Sequence, residues 1–495
     1  MLKLKHLSLK SFGENFAIIN KNCTVYKLDD INKITKLEIQ GENKTVYAFL
    51  QIVEDESIVG LDEIALNDEA FSALGLPEGI EVSVSLSSPS PSINAIKRKI
   101  NGDILTSSEY VDIMQDISSG RYSKMDIAAF LVACSSFMSA SELVSLTEAL
   151  VGNKVLHWDE KSIVVDHHCL GGIPGNKTDL IVLAIVAAYG LPIAKPCIHS
   201  LTSCAGVADT IGCMAEINLK DNEFQKHLRT NNGAIVCYDA LYISRANRLL
   251  HDVRRQLGID QNEFVIASIL SMMMSMGITH LVLDIPVGEK ARIHSTNEAM
   301  RIRKQIEYVG DMLGIEIDAV ITDGSEPIGN GIGAVLEARD VMKVLRNYKD
   351  APQDLKEKSL FLAGRVLEFD PQLRGGKGYA VAKELLESGR ALESFQQIVN
   401  TQGLKKVPKL GKYSREVVSA FDGVVEAINN VIINKIGVYA GATQYLGSGI
   451  DLHKKVGDYV KSGDVLYTIY SCNANDFEIA CNLMERQNGY TISVE

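Results

Sequence analysis

The sequence predicts a multi-domain α/β protein, in which a helical domain and a large mixed or parallel-sheet α/β domain lie between an N-terminal β domain and a C-terminal α+β domain. Three observations indicate this fold class. Alternating polar and apolar residues occupy the start of the chain, apolar residues then recur at helical spacing, and β-branched runs later alternate with longer helical stretches. A chain of 495 residues is long enough for several cores.

Residues 1–86 form the predicted N-terminal β-rich domain. The stretches LKLKHLSLK (2–10) and GIEVSVSLS (79–87) alternate with period two, as half-buried strands do. The run SSPSPS (87–92) follows, and its two prolines disfavour helix. We therefore place a domain boundary there.

Residues 93–161 form the predicted helical domain, with a later helical contribution near residues 245–278. Apolar residues recur at three- and four-residue steps in two stripes, as they do on the buried face of a helix. The stripes consist of Tyr110, Ile113, Met114 and Ile117, and of Ile127, Phe130, Leu131 and Cys134.

Residues 162–370 form the predicted α/β domain that binds phosphate and nucleotide. The short runs SIVV, HLVLDIPVG and IDAVITDG alternate with helical stretches, which indicates βαβ units and a mainly parallel sheet. We expect residues 375–404 to be a helical connection and residues 405–495 to be an α+β domain. Its VGDYVKSGD turn is similar to that of lipoyl- or biotinyl-binding domains, although a purely structural role is favoured.

The composition excludes several classes of protein. A formal net charge of −12 argues against sequence-independent nucleic-acid binding, which needs a basic surface. The nine cysteines lack CxxC spacing, so neither a disulfide framework nor a zinc site is favoured. The N-terminus has no apolar signal region, and the apolar run 180–191 is too short to span a bilayer. We expect a cytoplasmic protein with no membrane, nucleic-acid or metal partner.

The first candidate site is the loop HHCLGGIPGNKT, residues 167–178. Gly171, Gly172 and Gly175 lack Cβ atoms, so backbone N–H groups there can approach an anion. A helix then opens at Asn176, Lys177 and Thr178, and a helix N-terminus carries partial positive charge. The pattern predicts a phosphate site, although glycine-rich strand-to-helix turns also occur as plain connections.

The second candidate site is the loop IHSLTS, residues 198–203, which precedes Gly206. It offers hydroxyl groups and an imidazole that are suited to orienting a sugar phosphate. The alternative is that Thr202 and Ser203 only cap the following helix. Both roles are compatible.

The chain resembles the thymidine/pyrimidine-nucleoside phosphorylases, and in particular their longer branch, which includes archaeal AMP phosphorylase. The resemblance covers nearly the whole chain. The motifs that carry it are PSPS (89–92) through IKRK (96–99), HHCLGGIPGNKT (167–178), TSCAGVADT (202–210), ASILS (267–271), DIPVG (284–288) and TDGSEPIGNGIG (322–333).

The resemblance implies a pentosyltransferase, with inorganic phosphate as co-substrate and no cofactor. Its substrate would be a nucleoside 5′-monophosphate of the AMP type or a nucleoside, and its products a free base and ribose 1,5-bisphosphate or ribose 1-phosphate. The family also implies a homodimer, for which the helices of residues 110–134 are a possible interface, and an active site in the cleft between the helical and α/β parts.

By this resemblance Asp260 is the proton donor, although an Asp in the segment LGIDQNE is equally typical of a surface turn. The implied substrate-binding residues are Gly172, Ile198, His199, Ser200, Leu201, Thr202, Ser203, Val207, Ser268 and Arg292. The implied phosphate-binding residues are His167, His168, Cys169, Gly171, Lys177 and Thr178.

The chain departs from the family pattern at charged and hydroxyl positions. Its substitutions are His167-His168-Cys169 for Lys-His-Ser, Cys197 for Ser, His199 for Arg, Val207 for Thr, Arg292 for Lys, and Ser271-Met272-Met273 for Ser-Lys-Lys. An imidazole is mostly neutral at pH 7, unlike the ammonium and guanidinium groups that it replaces in this chain.

Two sources of replacement charge are possible. Either His167, His168 and His199 are protonated together when phosphate binds, or Lys177 and Arg292 supply the charge. Met272 and Met273 are most simply core residues, although an apolar base pocket would favour a purine. A non-catalytic nucleotide-binding paralogue, and a glycosyl-transfer or hydrolytic enzyme with another nucleophile, remain the alternatives.

Overall fold

The computed structural model describes residues 1–11, 14–26, 36–42, 44–152, 155–158, 163–200, 203–241, 244–258 and 261–493. The chain divides into two compact units. The first contains Met1–Leu150 and Ser244–Ala267, and the second contains Val151–Ile243 and Ser268–Glu495.

Strands occur in three groups along the chain, near its start, through its middle and near its end. In chain order they are β1 (Leu2–His6), β2 (Phe16–Asn20), β3 (Lys36–Gln40), β4 (Thr45–Val53), β5 (Glu63–Leu66), β6 (Glu81–Leu86), β7 (Val165–Cys169), β8 (Ile193–Cys197), β9 (Gly233–Cys237), β10 (His280–Val287), β11 (Glu316–Asp323), β12 (Gly331–Ile332), β13 (Tyr413–Val418), β14 (Gly423–Ile428), β15 (Gly449–Leu452), β16 (Tyr459–Val460), β17 (Val465–Ser471) and β18 (Tyr490–Ser493).

The α-helices are α1 (Asp68–Leu74), α2 (Ile93–Ile100), α3 (Ser107–Ser119), α4 (Lys124–Ser136), α5 (Ala140–Val151), α6 (Thr178–Tyr189), α7 (Val207–Gly212), α8 (Asp221–Asn231), α9 (Arg245–Leu257), α10 (Asn262–Ser275), α11 (Thr296–Leu313), α12 (Ala334–Leu345), α13 (Gln353–Leu367), α14 (Lys377–Glu387), α15 (Arg390–Gly403), α16 (Asn430–Tyr439) and α17 (Ala474–Arg486). Short 3₁₀ helices lie at Tyr238–Leu241 and Pro371–Leu373.

The N-terminal strands close into a barrel with the order β1-β5-β2-β4-β3-β6, and β6 pairs back onto β1. Alternate residues of β1 and β3, such as Leu2, Leu4, Leu37 and Ile39, fill its core. This arrangement follows from the period-two pattern, which directs every second side chain inward.

The helices of the first unit have strong local start and stop signals. Thr106 and Glu109 form a capping box at the start of α3, and Ser123 and Asp126 form another at the start of α4. α3 ends at Gly120 in the left-handed conformation. α9 packs against α3 and α4, although it lies far from them in the sequence.

The second unit is organised around a five-stranded sheet with the order β11-β10-β7-β8-β9, in which every neighbouring pair is parallel. α6 is buried from Thr178 to Ala187, and it contacts α13 and α15. A helix that is apolar all round is typical of a position inside a core.

The α/β core extends beyond residue 370, in contrast to the predicted boundary. α14 and α15 contribute Leu385, Leu386, Phe395 and Ile398 to the same core as α6. The segment expected to be a helical connection is therefore packed structure, because its apolar residues complete the layer over α6.

Two small sheets form the C-terminal part, with the orders β12-β15-β17-β13 and β16-β14-β18. α16 and α17 pack together beside these sheets and share an apolar core that includes Ile433, Ile436 and Tyr467. β12 belongs to the α/β part of the second unit and pairs with β15 of the C-terminal part. This pairing joins the α/β part to the C-terminal part.

Among the described residues, none of the helices combines the length and the apolar character needed to cross a membrane. The same residues contain no cluster of three or more His, Cys, Asp or Glu side chains placed to hold a metal ion.

Candidate active site

The two loops singled out in the sequence follow neighbouring parallel strands. β7 ends at Cys169 and β8 ends at Cys197, and the two strands pair in parallel at Val165 and Ile193. Ligands of open α/β sheets bind beyond the carboxyl ends of such strands. The fold therefore brings residues 170–177, called the first loop, and the described residues 198–200 and 203–206, called the second loop, to the same edge of the sheet.

Glycine allows the first loop to approach other segments closely. Gly172 has φ 93°, and a Cβ atom there would lie 2.7 Å from both Cβ and the backbone nitrogen of Arg292. Gly175 has φ 75°, and a Cβ atom there would lie 2.3 Å from the carbonyl oxygen of Ile328. Larger residues would displace the loop at both places.

Cys169 organises the first loop through its sulfur atom. The backbone N–H of Gly171 and the side-chain amide of Asn176 donate to its Sγ atom over 3.4 Å and 3.3 Å. Thr178 Oγ1 donates in turn to Asn176 Oδ1 over 3.1 Å. Burial raises the pKa of the Cys169 thiol well above its usual value, so the group is neutral.

Lys177 has a different environment from the one expected of a phosphate-binding lysine. Its buried Nζ atom lies 2.9 Å from Glu337 Oε2 and donates to the carbonyl oxygen of Ala205 over 3.2 Å. Glu337 also accepts hydrogen bonds from Thr210 Oγ1 and from the backbone N–H of Gly333. The charge of Lys177 is thus balanced inside the protein, and its side chain joins the first loop to the second.

A buried charged network lies where β7, β8 and α6 meet. Lys195 Nζ lies 2.8 Å from Asp179 Oδ1 and 3.3 Å from Asp166 Oδ1, and it donates to the carbonyl oxygen of His167. His167 Nδ1 lies 3.1 Å from the same Asp179 oxygen. Among the described residues, the buried Nε2 atom of His167 has no hydrogen-bond partner.

The network gives its members different ionisation behaviour. Burial raises the pKa of Asp166 to about 7, and Lys195 opposes this shift. Asp179 is also buried, but the charge of Lys195 and the hydrogen bond to His167 hold its pKa far below the usual value. Burial and the charge of Lys195 lower the pKa of His168 to about 3, so His168 is neutral at neutral pH.

Asp209 holds the second loop in place. Its Oδ2 atom accepts the backbone N–H groups of Ser200 and Gly206 over 2.8 Å and 2.7 Å, while His199 Nδ1 lies 2.6 Å from Oδ1. The hydroxyl groups of Ser200 and Ser203 lie 2.8 Å apart. The described residues of the loop are therefore held together by Asp209 and by the hydroxyl groups of Ser200 and Ser203.

His199 is the persistent cation of this loop. Its hydrogen bond to Asp209, with a further one to Cys237, raises its pKa to about 10. The side chain is 54% exposed. His199 is therefore charged and His168 neutral near neutral pH in this structure, and the joint protonation of the three histidines on phosphate binding stays a prediction.

The remaining predicted substrate-binding residues lie on separate elements. Ile198 is 41% exposed, and Val207 begins α7 and packs partly against the α/β core. Ser268 lies on α10, where its carbonyl oxygen accepts a hydrogen bond from Ser271 Oγ. Arg292 Nη1 donates to the carbonyl oxygen of Leu170 over 3.3 Å, which places this cation beside the first loop.

Three of the predicted residues, Leu201, Thr202 and Asp260, lie outside the described residues. Met272 and Met273 are 4% and 0% exposed. Their burial agrees with the simpler interpretation of the methionine run as core packing.

The sequence reasoning missed four side chains that hold the loops: Asp179, Lys195, Asp209 and Glu337. Asp179 and Lys195 each carry a charge within an apolar segment, KTDLIVLAIV and PIAKPC. Charged side chains are almost never fully buried unless paired, so both segments contained a signal of a buried network. Asp209 and Glu337 lie in segments that contain both polar and apolar residues, so the sequence there carried no such signal.

Three family models match the chain. They are the glycosyl transferase family helical bundle domain over residues 93–153, the glycosyl transferase family a/b domain over residues 161–392, and the pyrimidine nucleoside phosphorylase C-terminal domain over residues 424–492. Together with the paired loops at the edge of the parallel sheet, these matches define a pentosyltransferase.

Full-length relatives define the family. A protein of Rhodopseudomonas palustris is 42% identical over 99% of this chain and 96% of its own length. Proteins of Albidiferax ferrireducens and Methylococcus capsulatus are 40% and 42% identical, also over 99% of this chain, and cover 95% and 96% of their own lengths. All three bear the name "Putative thymidine phosphorylase". The chain belongs to the thymidine/pyrimidine-nucleoside phosphorylase family, which confirms the resemblance seen in its motifs.

Among solved structures, anthranilate phosphoribosyltransferase from Thermus thermophilus shares the fold, with a TM-score of 0.50 and 18% identity. The similarity covers 62% of this chain and 99% of that one.

Proposed function

We propose that this enzyme catalyses phosphorolysis of a nucleoside 5′-monophosphate of the AMP type, releasing the free base and ribose 1,5-bisphosphate. The observation that carries this proposal is the pair of loops suited to anions, joined by Lys177, with the His199 imidazolium on the second loop. Phosphorolysis of a nucleotide requires the binding of two anionic groups, the 5′-phosphate and inorganic phosphate. Phosphorolysis of a nucleoside requires the binding of inorganic phosphate alone. Two such loops therefore favour the nucleotide.

In this proposal the first loop receives inorganic phosphate. Backbone N–H groups at glycine positions and the nearby Arg292 side chain supply donors without requiring the charge of Lys177. The second loop receives the 5′-phosphate through the His199 cation and the hydroxyl groups of Ser200 and Ser203.

Phosphorolysis forms a bond from a phosphate oxygen to the anomeric carbon while the bond from that carbon to the base nitrogen breaks. The sugar gains positive charge in the transition state, and the departing base gains negative charge. Bound phosphate stabilises the former. Asp260, acting as the proton donor, supplies a proton to the base as the bond breaks.

A second candidate substrate is a pyrimidine nucleoside such as thymidine. The names of the relatives favour it, since all three refer to thymidine phosphorylase. Phosphorolysis would then give ribose or deoxyribose 1-phosphate, and the second loop would bind the sugar alone. For either substrate, we propose a cytoplasmic homodimer that uses phosphate as co-substrate and no cofactor.

The deciding experiment measures free-base release from AMP, CMP, UMP, thymidine and uridine, each with and without inorganic phosphate. We expect phosphate-dependent release of adenine from AMP. Asp260→Asn should lower the turnover number by roughly 10²–10⁴-fold, the range for loss of a general acid. Asp350→Asn removes an exposed carboxylate from the α/β part and serves as the matched control.

Other outcomes would each change the conclusion. Release from thymidine alone would favour the second candidate. Base release that needs no phosphate would identify another nucleophile, and nucleotide binding without any release would identify a non-catalytic paralogue.

A further inference from the structure

Lys455 lies in the C-terminal part of the second unit, yet its side chain contacts a segment of the α/β part. Its Nζ atom donates to the carbonyl oxygens of Pro327 and, over 3.3 Å, of Gly329. It also lies 3.0 Å from Asp354 Oδ2 and 3.8 Å from Glu326 Oε2. A single ammonium group therefore contacts the segment of residues 326–329, called the bracing segment, at three residues.

Other contacts hold the bracing segment in the same position. The backbone N–H of Gly329 donates to Asp354 Oδ2 over 3.0 Å, so Asp354 interacts with both the segment and Lys455. The backbone N–H of Val456 donates to Glu326 Oε2 over 3.1 Å. Without Lys455, the carboxylates of Glu326 and Asp354 would remain close together with no cation between them. Repulsion between their like charges would disfavour this position of the bracing segment.

The bracing segment contacts the first loop directly. The backbone N–H of Ile328 donates to the carbonyl oxygen of Pro174 over 3.1 Å. Gly175 packs so closely against Ile328 that a Cβ atom would lie 2.3 Å from its carbonyl oxygen. Ile328 is flanked by Pro327 and Gly329, the two residues whose carbonyl oxygens bind Lys455. The path from Lys455 to the glycine turn therefore consists entirely of close contacts.

We propose that Lys455 is a positioning residue for the phosphate site, and that it acts through Pro327, Ile328 and Gly329 on Gly175 of the first loop. This proposal rests on the proposed function only in assigning phosphate to that loop. The C-terminal part of the unit thereby contributes to substrate binding without contacting substrate.

The neighbouring residue provides a matched control. Lys454 Nζ lies 3.5 Å from Asp464 Oδ2 and 3.5 Å from the carbonyl oxygen of Tyr459, both within the C-terminal part. The side chains of Lys454 and Lys455 are 27% and 22% exposed. Lys454→Met and Lys455→Met therefore remove the same group from adjacent, similarly exposed positions, and only the latter touches the bracing segment.

The first measurement is backbone hydrogen exchange of residues 171–178 and 326–331 in the wild type and both variants. We expect Lys455→Met to accelerate exchange in both segments by about tenfold, the size of coupling that a packed network carries, while Lys454→Met leaves it unchanged. Lys455→Arg should restore most of the protection because it keeps the charge. Equal exchange in the two Met variants would overturn the proposal.

The second measurement is the KM for inorganic phosphate with a saturating nucleotide. Lys455→Met should raise this KM by roughly three- to tenfold and leave the KM for the nucleotide unchanged. A merely structural role would instead lower kcat in proportion to the folded fraction. If Lys455→Met does not fold, Lys455→Gln keeps N–H donors for the two carbonyl oxygens and should show a smaller change in the same direction.

Failure of the proposed function is distinguishable from failure of this inference. If the wild type releases no base, the hydrogen-exchange comparison still tests the contact between Lys455 and the first loop. Binding of radiolabelled inorganic phosphate in equilibrium dialysis then replaces the KM measurement. Weaker phosphate binding by Lys455→Met than by Lys454→Met would support the inference, and equal binding would contradict it.

Discussion

His199 and Asp209 form an ion pair in which imidazole Nδ1 lies 2.6 Å from carboxylate Oδ1. The same carboxylate accepts two backbone N–H groups of the second loop, so one acid sets both the shape of the loop and the charge of its histidine. The family arginine at this position is replaced by a histidine that stays charged near neutral pH.

The ion pair predicts how the pH dependence of nucleotide binding will change in a variant. In the wild type the pKa of His199 is about 10, so the KM for a nucleoside 5′-monophosphate should stay nearly constant from about pH 7 to 9. Asp209→Asn removes the largest cause of the raised pKa of His199, so this pKa should fall and the KM should rise with pH over the same range.

Steady-state kinetics from about pH 6 to 9, with the pKa of His199 followed by proton NMR, tests this prediction. The ion pair stabilises the loop fully below about pH 6.5, and that stabilisation is lost as the pH rises through about 10, because the folded-state pKa is raised. A parallel pH profile in wild type and Asp209→Asn would contradict the role of His199 as the loop cation.

We expect a single methyl group added at Gly175 to lower the free energy of unfolding strongly. Gly175→Ala combines a left-handed conformation with a clash against Ile328, and we expect a loss of about 3 kcal/mol in the free energy of unfolding. Gly190 also has a positive φ but has open space around it, so Gly190→Ala should lose only about 1–2 kcal/mol. Urea unfolding of both variants makes the comparison, and equal losses would show that the close contact carries no energy.

We expect the replacement of Lys195 to destabilise the protein, because Lys195 is the cation of the buried network. Lys195→Met leaves Asp166 and Asp179 buried without their shared cation, which should cost roughly 3–5 kcal/mol in the free energy of unfolding. Lys343→Met breaks an ion pair with the exposed Asp350 and should change stability little. A Lys195→Met protein as stable as Lys343→Met would show that the network contributes no net stabilisation.

The fold class could be predicted because its signals are local. The alternation of residues 2–10 contains β1, which ends at His6, and the stripe through Tyr110 and Ile117 is the buried face of α3. The position of the first loop follows from Gly171, Gly172 and Gly175 before an apolar helix. The boundary near residue 370 could not be located, because only tertiary packing shows that α14 and α15 cover α6.

The electrostatics of the candidate site depends on partners that are distant in the sequence. Lys177 looks available to phosphate until the fold places Glu337 beside it. His168 and His199 are the same residue type, yet burial lowers one pKa and Asp209 raises the other. Residue type and spacing indicate where a charge lies, whereas its balance depends on which strands and helices become neighbours.

The interrupted sequence of the first unit has a consequence for synthesis. α9 packs against α3 and α4 and buries Ala246, Leu250 and Val253, but it is translated only after residues 151–243, which belong to the second unit. During synthesis the apolar faces of α3 and α4 therefore remain uncovered by α9 while the first strands of the parallel sheet leave the ribosome. A fragment that ends at residue 150 lacks that partner, and the first unit is complete only when the later helix has left the exit tunnel.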